Sequence, residues 1–213
     1  HMRRIVGLEA ENPDPIQIRL TDKEREGARE QLRHLGLAGH RPFAFNTGSG
    51  SRWPTKRWPP ERFIELGFLL APHSPCRILL LGGPDEEETN RMLALERPDL
   101  FVSPGAMPLR DFLALVETCS LLVTSDTLAL HVGLGTAVPT VGLFGPTSAA
   151  EIEGVTPLLK ITSPKACVHF YARECAESPC CMETITPADV HEQVRSAGWI
   201  DSAEVDIPTE RHP

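Results

Sequence analysis

No stretch of this sequence approaches the ~20 consecutive apolar residues that span a bilayer, and no secretory signal pattern opens it. Basic side chains are in deficit, with 21 Lys and Arg against 29 Asp and Glu for a net charge of −8. That balance argues against nonspecific nucleic-acid binding, while a local basic groove can still hold phosphate. No GxGxxG follows the first apolar strand, and GxxxxGK(S/T) occurs nowhere, which disfavours a dinucleotide-dependent dehydrogenase or a phosphate-loop NTPase. The CxxC…CxxC spacing of a zinc site is also missing, although the chain has six cysteines.

What is present reads as an ordinary globular protein, 41% hydrophobic and 23% charged, long enough for one well-buried domain. His1-Met2 looks like an expression-vector remnant, which implies a natural chain that begins upstream. Residues 1–20 carry no clear period and read as this remnant plus a linker or edge strand. Residues 21–200 hold a repeated strand–helix alternation, and residues 201–213 are a polar tail. Short bounded apolar runs near Pro42–Phe45, Arg77–Leu81, Leu100–Val102, Leu121–Thr124, Thr140–Leu143 and Leu158–Thr162 suit buried parallel strands. Helix signals fall between them. Thr21 and Glu24 make a capping-box pattern, Pro60 stands at a first helical position, and Thr186-Pro187 opens a last helix. The alternation predicts an α/β fold with a doubly wound parallel, Rossmann-like sheet.

Three of the turns that follow strands carry chemistry. In NTGSGSRWPTKRWPP, Gly48, Ser49, Gly50 and Ser51 permit close backbone approach to a ligand, and Lys56 and Arg57 add positive charge. A flexible surface loop is the competing reading, but two tryptophans and the Lys-Arg pair tilt the loop toward function. The second turn, Gly82-Gly83-Pro84-Asp85, runs into Glu86-Glu87-Glu88. Those glutamates either complement a helix dipole or supply one acceptor for ribose hydroxyls. Further on, Met107 is either a core filler or an apolar wall for a base. The third turn, Ser125-Asp126-Thr127, supplies N-cap residues at a strand's carboxyl end, where a helix N-terminus favours phosphate. Leu128 follows, and His131, five residues after Asp126, is close enough to serve the same crevice.

The motifs NTGSGSRWPTKRWPPERF, LLGGPDEEE and SDTLALHVGLGTAVPTVGLFGPT, in this order and spacing, resemble the carboxyl-terminal domain of bacterial lipopolysaccharide heptosyltransferases, glycosyltransferase family 9. The resemblance covers nearly the whole chain. It implies one half of a GT-B glycosyltransferase, an inverting enzyme of lipopolysaccharide core biosynthesis with two Rossmann-like domains and the active site between them. The donor, an ADP-heptose-type nucleotide sugar, is bound by this half. The lipid A–core acceptor is bound by an amino-terminal domain that also supplies the catalytic base, so no catalytic residue is expected in this chain and it is not expected to catalyse transfer alone. By the same resemblance Lys56 contacts the donor's phosphate and sugar, Glu86 (or Glu87) the ribose, and Met107 the adenine. Asp126 then takes heptose hydroxyls, Thr127 and the following amides the diphosphate, and His131 lies near the phosphates. No cofactor is required on this account, because protein cations replace a magnesium ion. The location implied is cytoplasmic, peripheral to the inner membrane in the full-length enzyme.

One position departs from the family pattern. Leu128 stands where glycine usually follows Asp-Thr, and its side chain crowds the approach of a phosphate. A UDP-sugar-using GT-B enzyme or epimerase domain, and a non-catalytic nucleotide-binding module, are therefore carried as alternatives. The segment with Cys167, Cys175, Cys180, Cys181 and His169 reads as packed free thiols, with a metal cluster or a disulfide as the other possibilities. Cys76 and Cys119 read as core residues.

Overall fold

The apolar runs form six short strands: β1 (Phe43–Asn46), β2 (Ile78–Leu81), β3 (Phe101–Val102), β4 (Leu121–Ser125), β5 (Thr140–Phe144) and β6 (Leu158–Thr162). Between and around them lie α1 (Asp22–His34), α2 (Pro60–Leu70), α3 (Glu87–Glu96), α4 (Leu109–Glu117), α5 (Leu128–Gly135) and α6 (Pro187–Ser196). The computed structural model describes residues 17–152, 157–167 and 170–200. The expected leading segment up to residue 16, the tail from residue 201 and His169 lie outside the described residues.

All six strands are parallel in one sheet, in the order β3-β2-β1-β4-β5-β6. The expected α/β, doubly wound parallel sheet is therefore what the chain forms. The chain winds outward from β1 through β3, then crosses to β4 and winds the other way. β1 and β4 are in register from Phe43↔Leu121 to Asn46↔Thr124. Their carboxyl ends flank the point where strand order reverses, and ligands of open α/β sheets bind in the crevice there.

β1, β2, β4 and β5 are buried along their whole length because both faces are covered, whereas β6, expected as a buried strand, is an edge strand that leaves Lys160 and Thr162 exposed. Alternate side chains separate them into two layers. Phe43, Phe45, Ile78, Leu80, Leu121 and Val123 join one core with α2, α3 and α6. Ala44, Leu79, Leu81 and Leu122 join the other with α1, α4 and α5. On α2 the buried stripe is Phe63, Leu66, Gly67 and Leu70, the i, i+3, i+4, i+7 spacing of one helical face. Ile64 and Leu69, beside this stripe, are only half-buried. Gly67 is needed because a Cβ there would lie 2.6 Å from the Phe101 ring.

Caps set the helix ends. Thr21 and Glu24 form the expected capping box on α1, and Thr186 Oγ1 accepts from the Asp189 amide at 3.1 Å to start α6. Ser148 stands at the start of a single 3-10 turn (Ala149–Glu151), but its side chain does not cap it. One inference from the sequence needs correction here. Trp58, counted as a functional signal of the 46–60 loop, is a core residue, 1% exposed. Its Nε1–H donates to Ile185 O at 3.0 Å, and the Phe63 ring meets it edge-on at 5.0 Å. Burial of so large a ring with its one polar atom paired anchors the loop's far end to the core under α6.

Candidate functional site: a cleft at the reversal point

A cleft of about 390 Å³ opens at the carboxyl ends of β1, β2 and β4. Its floor is backbone: Gly48–Gly50 after β1 and Gly82–Glu86 after β2. One wall is the start of α5, Thr127 to Ala129, and Met107, Leu109 and Phe112 make the lining apolar.

The floor is held by Glu86, which is buried at 6% exposure. Its Oε1 accepts from the Gly50 amide and its Oε2 from the Gly83 amide, each at 3.0 Å. Arg57 Nη2 stands 3.7 Å from Oε1 and donates to Gly50 O at 3.0 Å. The carboxylate thus staples the two Gly-rich turns together, a charge-assisted arrangement stronger than a neutral pair. It also explains the glycine at 48, because a Cβ there would fall 2.0 Å from Glu86 Cγ. Asp85 adds a neighbouring tie, accepting from the Ser51 amide at 2.7 Å.

The α5 wall begins at Thr127, whose backbone is extended and whose Oγ1 accepts from the Ala129 amide at 3.2 Å. Thr127, rather than Ser125 or Asp126, is therefore the N-cap. A residue not anticipated from sequence ties this wall to the floor. Asn46, the last residue of β1, donates from Nδ2 to Gly48 O at 2.9 Å and to Thr124 Oγ1 at 3.2 Å. It is buried at 7% exposure. The legible signal was a polar amide ending an otherwise apolar strand, since a buried amide is retained only where its hydrogen bonds are met.

Lys56 and Asp126, seventy positions apart, meet beside the cleft. Lys56 Nζ donates to Asp126 O at 3.0 Å and to Asp126 Oδ2 at 3.2 Å. Both side chains are 15% exposed. A pair this enclosed carries two charges with little water around them, an arrangement that folding stability alone rarely favours.

Of the residues expected at the site, Gly48, Ser49, Gly50, Glu86, Met107, Thr127 and Leu128 line the cleft. Lys56 and Asp126 form the pair beside it. Ser51 is exposed at the lip, with its amide on Asp85. Glu87, the alternative to Glu86, is exposed on the first turn of α3. His131 is exposed on α5 and does not line the cleft. Leu128 is 59% exposed and adds to the apolar side with Leu109, itself 54% exposed. Two open leucines at a cleft mouth are surface that a ligand would cover.

The cysteine segment lies on the α6 side of the sheet. Cys167, Cys175, Cys180 and Cys181 are free thiols, as are Cys76 and Cys119. Burial, with Cys167 and Cys180 alongside, pushes the Cys181 thiol up to about 12. Among the described residues no group of three or more His, Cys, Asp or Glu is arranged to hold a metal ion. No helix there is long and apolar enough to cross a membrane.

Residues 3–185 match the family model for glycosyltransferase family 9 (heptosyltransferase). Lipooligosaccharide heptosyltransferase 2 of Haemophilus influenzae is 26% identical over 130 residues, covering 59% of this chain and 38% of that protein. A family 9 glycosyl transferase from Veillonella parvula superposes with a TM-score of 0.71 at 22% identity, covering 91% of this chain and 56% of the other. E. coli heptosyltransferase WaaC, solved with ADP-2-deoxy-2-fluoro heptose, gives a TM-score of 0.59 at 23% identity over 80% of this chain and 47% of its own. The chain spans about two fifths of the length of the curated relative and about half of the solved structures. On the family match over most of its length, the chain belongs to glycosyltransferase family 9.

Proposed function

We propose that this chain is the donor-binding domain of an inverting heptosyltransferase-like glycosyltransferase, and that its cleft takes a nucleoside diphosphate sugar of the ADP-heptose type. The observation that carries this reading is the placement of an α-helix N-terminus, an enclosed lysine–aspartate pair and an apolar wall around one crevice at the reversal point. The apolar side, Met107, Leu109, Phe112 and Leu128, suits the flat face of a base. The amides that open α5 suit the diphosphate. An ammonium has three donors; two are directed at Asp126, and we assign the third to a diphosphate oxygen. Asp126 then holds the lysine in place and offers its carboxylate to sugar hydroxyls. Each Glu86 oxygen that accepts an amide keeps a second lone pair, which a ribose hydroxyl can reach from the cleft. WaaC, solved with an ADP-heptose analogue, supports a donor of this chemistry.

In transfer, an acceptor hydroxyl displaces the nucleoside diphosphate at the anomeric carbon with inversion. Lys56 and the α5 amides stabilise the negative charge gathering on the leaving diphosphate. The base that removes the hydroxyl proton, and the lipid A–core acceptor, are assigned to the other half of a GT-B enzyme.

Calorimetry with ADP, ADP-heptose and UDP-sugars tests the reading. Binding of ADP and ADP-heptose in preference to UDP-sugars is expected. Lys56→Ala and Asp126→Ala should each weaken ADP-heptose binding by about 10-fold or more, the scale of one charge-assisted contact. Unchanged affinity in both variants, with intact folding, would refute the site assignment.

A further inference from the structure

The carboxyl edge of the sheet does not end at Asp126. The next strand, β5, leads into Gly145-Pro146-Thr147, and a segment from beyond β6 returns to lie over it. Tyr171 donates its amide to Pro146 O at 2.9 Å and its hydroxyl to Glu151 Oε2 at 2.7 Å. The next residue, Ala172, accepts from Thr55 Oγ1 at 2.7 Å, which ties the segment to the loop bearing Lys56. The Glu151 carboxylate and burial push the Tyr171 phenol up, and the Asp126 charge adds a smaller push in the same direction. Two aromatic rings are thereby presented side by side, Phe170 at 54% and Tyr171 at 42% exposure, with centroids 6.4 Å apart.

Tyr171 adopts φ 56°, a left-handed conformation uncommon for a bulky residue. Such strain persists where the surroundings over-determine it, and it concentrates at binding sites. Here hydrogen bonds from both ends of the residue, to Pro146 and Glu151, do the holding. Exposed aromatics could instead be ordinary surface. Ordinary surface does not need a tyrosine fixed against its backbone preference by two partners from the connection between β5 and β6.

The strand order gives this edge its meaning. From β2 across β1 and β4 to β5 is three strand spacings, about 14 Å at ~4.8 Å each. Glu86 follows β2, Lys56 lies on the loop after β1, Asp126 and the start of α5 follow β4, and the aromatic pair lies against the connection after β5. Resting on the nucleotide-sugar reading above, we infer that Phe170 and Tyr171 form a platform for the glycosyl ring of the donor. The rings take the C–H face of the pyranose, and Asp126 takes its hydroxyl rim. A sugar has one face of each character, and a mostly apolar wall with a single placed carboxylate orients it.

The test is calorimetry of the 213-residue chain with ADP and with ADP-heptose, for wild type, Phe170→Ala, Tyr171→Ala and Tyr171→Phe. Wild type should bind ADP-heptose more tightly than ADP. Each alanine variant should lose about 2- to 10-fold for ADP-heptose, the worth of one aromatic contact, with ADP affinity unchanged. Tyr171→Phe, which keeps the ring, should retain the tighter binding of ADP-heptose. Phe170→Ala removes an exposed side chain and serves as the variant least able to disturb folding. Wild type binding ADP and ADP-heptose equally would overturn the platform and leave the nucleotide site standing. Equal loss of both ligands in the alanine variants would also overturn it, since the residues would then act through loop structure. Absence of ADP binding in wild type would defeat the nucleotide reading itself, and the platform with it.

Discussion

Replacing Glu86 by alanine separates a structural brace from a ligand contact. In the folded protein its two oxygens accept from the Gly50 and Gly83 amides. Alanine leaves both amides without an acceptor, at about 1–3 kcal/mol for each group kept from water. Both glycines are half-buried, so water recovers part of this. Removing a buried carboxylate whose nearest cation stands 3.7 Å away also returns some desolvation energy. The stem's contacts with the two Gly-rich turns are lost as well, because Gly48 and Gly82 carry no Cβ where Glu86 packs. We expect a net loss of about 2–3 kcal/mol, which lowers the thermal midpoint by roughly 4–12 °C for a chain of this size. Circular dichroism melting without nucleotide measures it, and calorimetry with ADP reads the consequence for the cleft. Glu86→Gln should fall between the two, since its amide retains one acceptor and turns a donor toward the other N–H. A Glu86→Ala protein that melts with wild type in the absence of nucleotide, yet loses ADP affinity, would refute the brace and leave Glu86 a ribose ligand alone.

Three further outcomes are expected. Trp58→Phe should cost about 2–3 kcal/mol in urea unfolding, from the cavity and from the Ile185 carbonyl left without its donor; a change below about 0.5 kcal/mol, the range of surface substitutions, would contradict the core assignment. Burial pushes the Cys119 thiol up to about 12, and the Cys181 thiol is also held near about 12. Because the thiolate is the reactive form, iodoacetamide near pH 8 should leave both unmodified in the native protein by mass spectrometry and label them in urea. His191 is held below its ordinary 6.5, first by burial and then by His73, and both rings have a buried Nε2 without a partner among the described residues. Arg195 adds to the lowering, and Glu192 opposes it. The unfolded chain therefore takes up the proton first as pH falls. The stability from neutral His191 is complete above pH 6.5 and is lost below it. Melting should accordingly drop as pH falls below about 6.5, and His191→Gln should flatten that drop.

Much of this architecture was legible in the residues. Strands covered on both faces must be apolar throughout, so β2, β4 and β5 stood out as bounded runs. Thr21, Pro60 and Thr186 marked helix starts, because orphan amides there need an acceptor or, for proline, no bond at all. The Gly-rich turns announced close backbone approach. Trp58 misled for the opposite reason: a large ring beside a polar loop looks the same in sequence whether it points at a ligand or into the core.

Strand order is a different matter. An apolar run does not encode which neighbour it pairs with; that is settled when crossover helices pack and the second half winds back from β4. Only then do Asn46 and Thr124 come into register, Lys56 close on Asp126, and Tyr171 return beside them. Glu86 shows the same limit from the other side. Its charge marked it as a residue for a ligand, and only the folded chain could turn that carboxylate inward, onto two amides that no local pattern places near it. Local propensity and period determine the elements and their ends. Contacts between residues far apart in sequence, which cost chain entropy and form only with the whole core, determine the site.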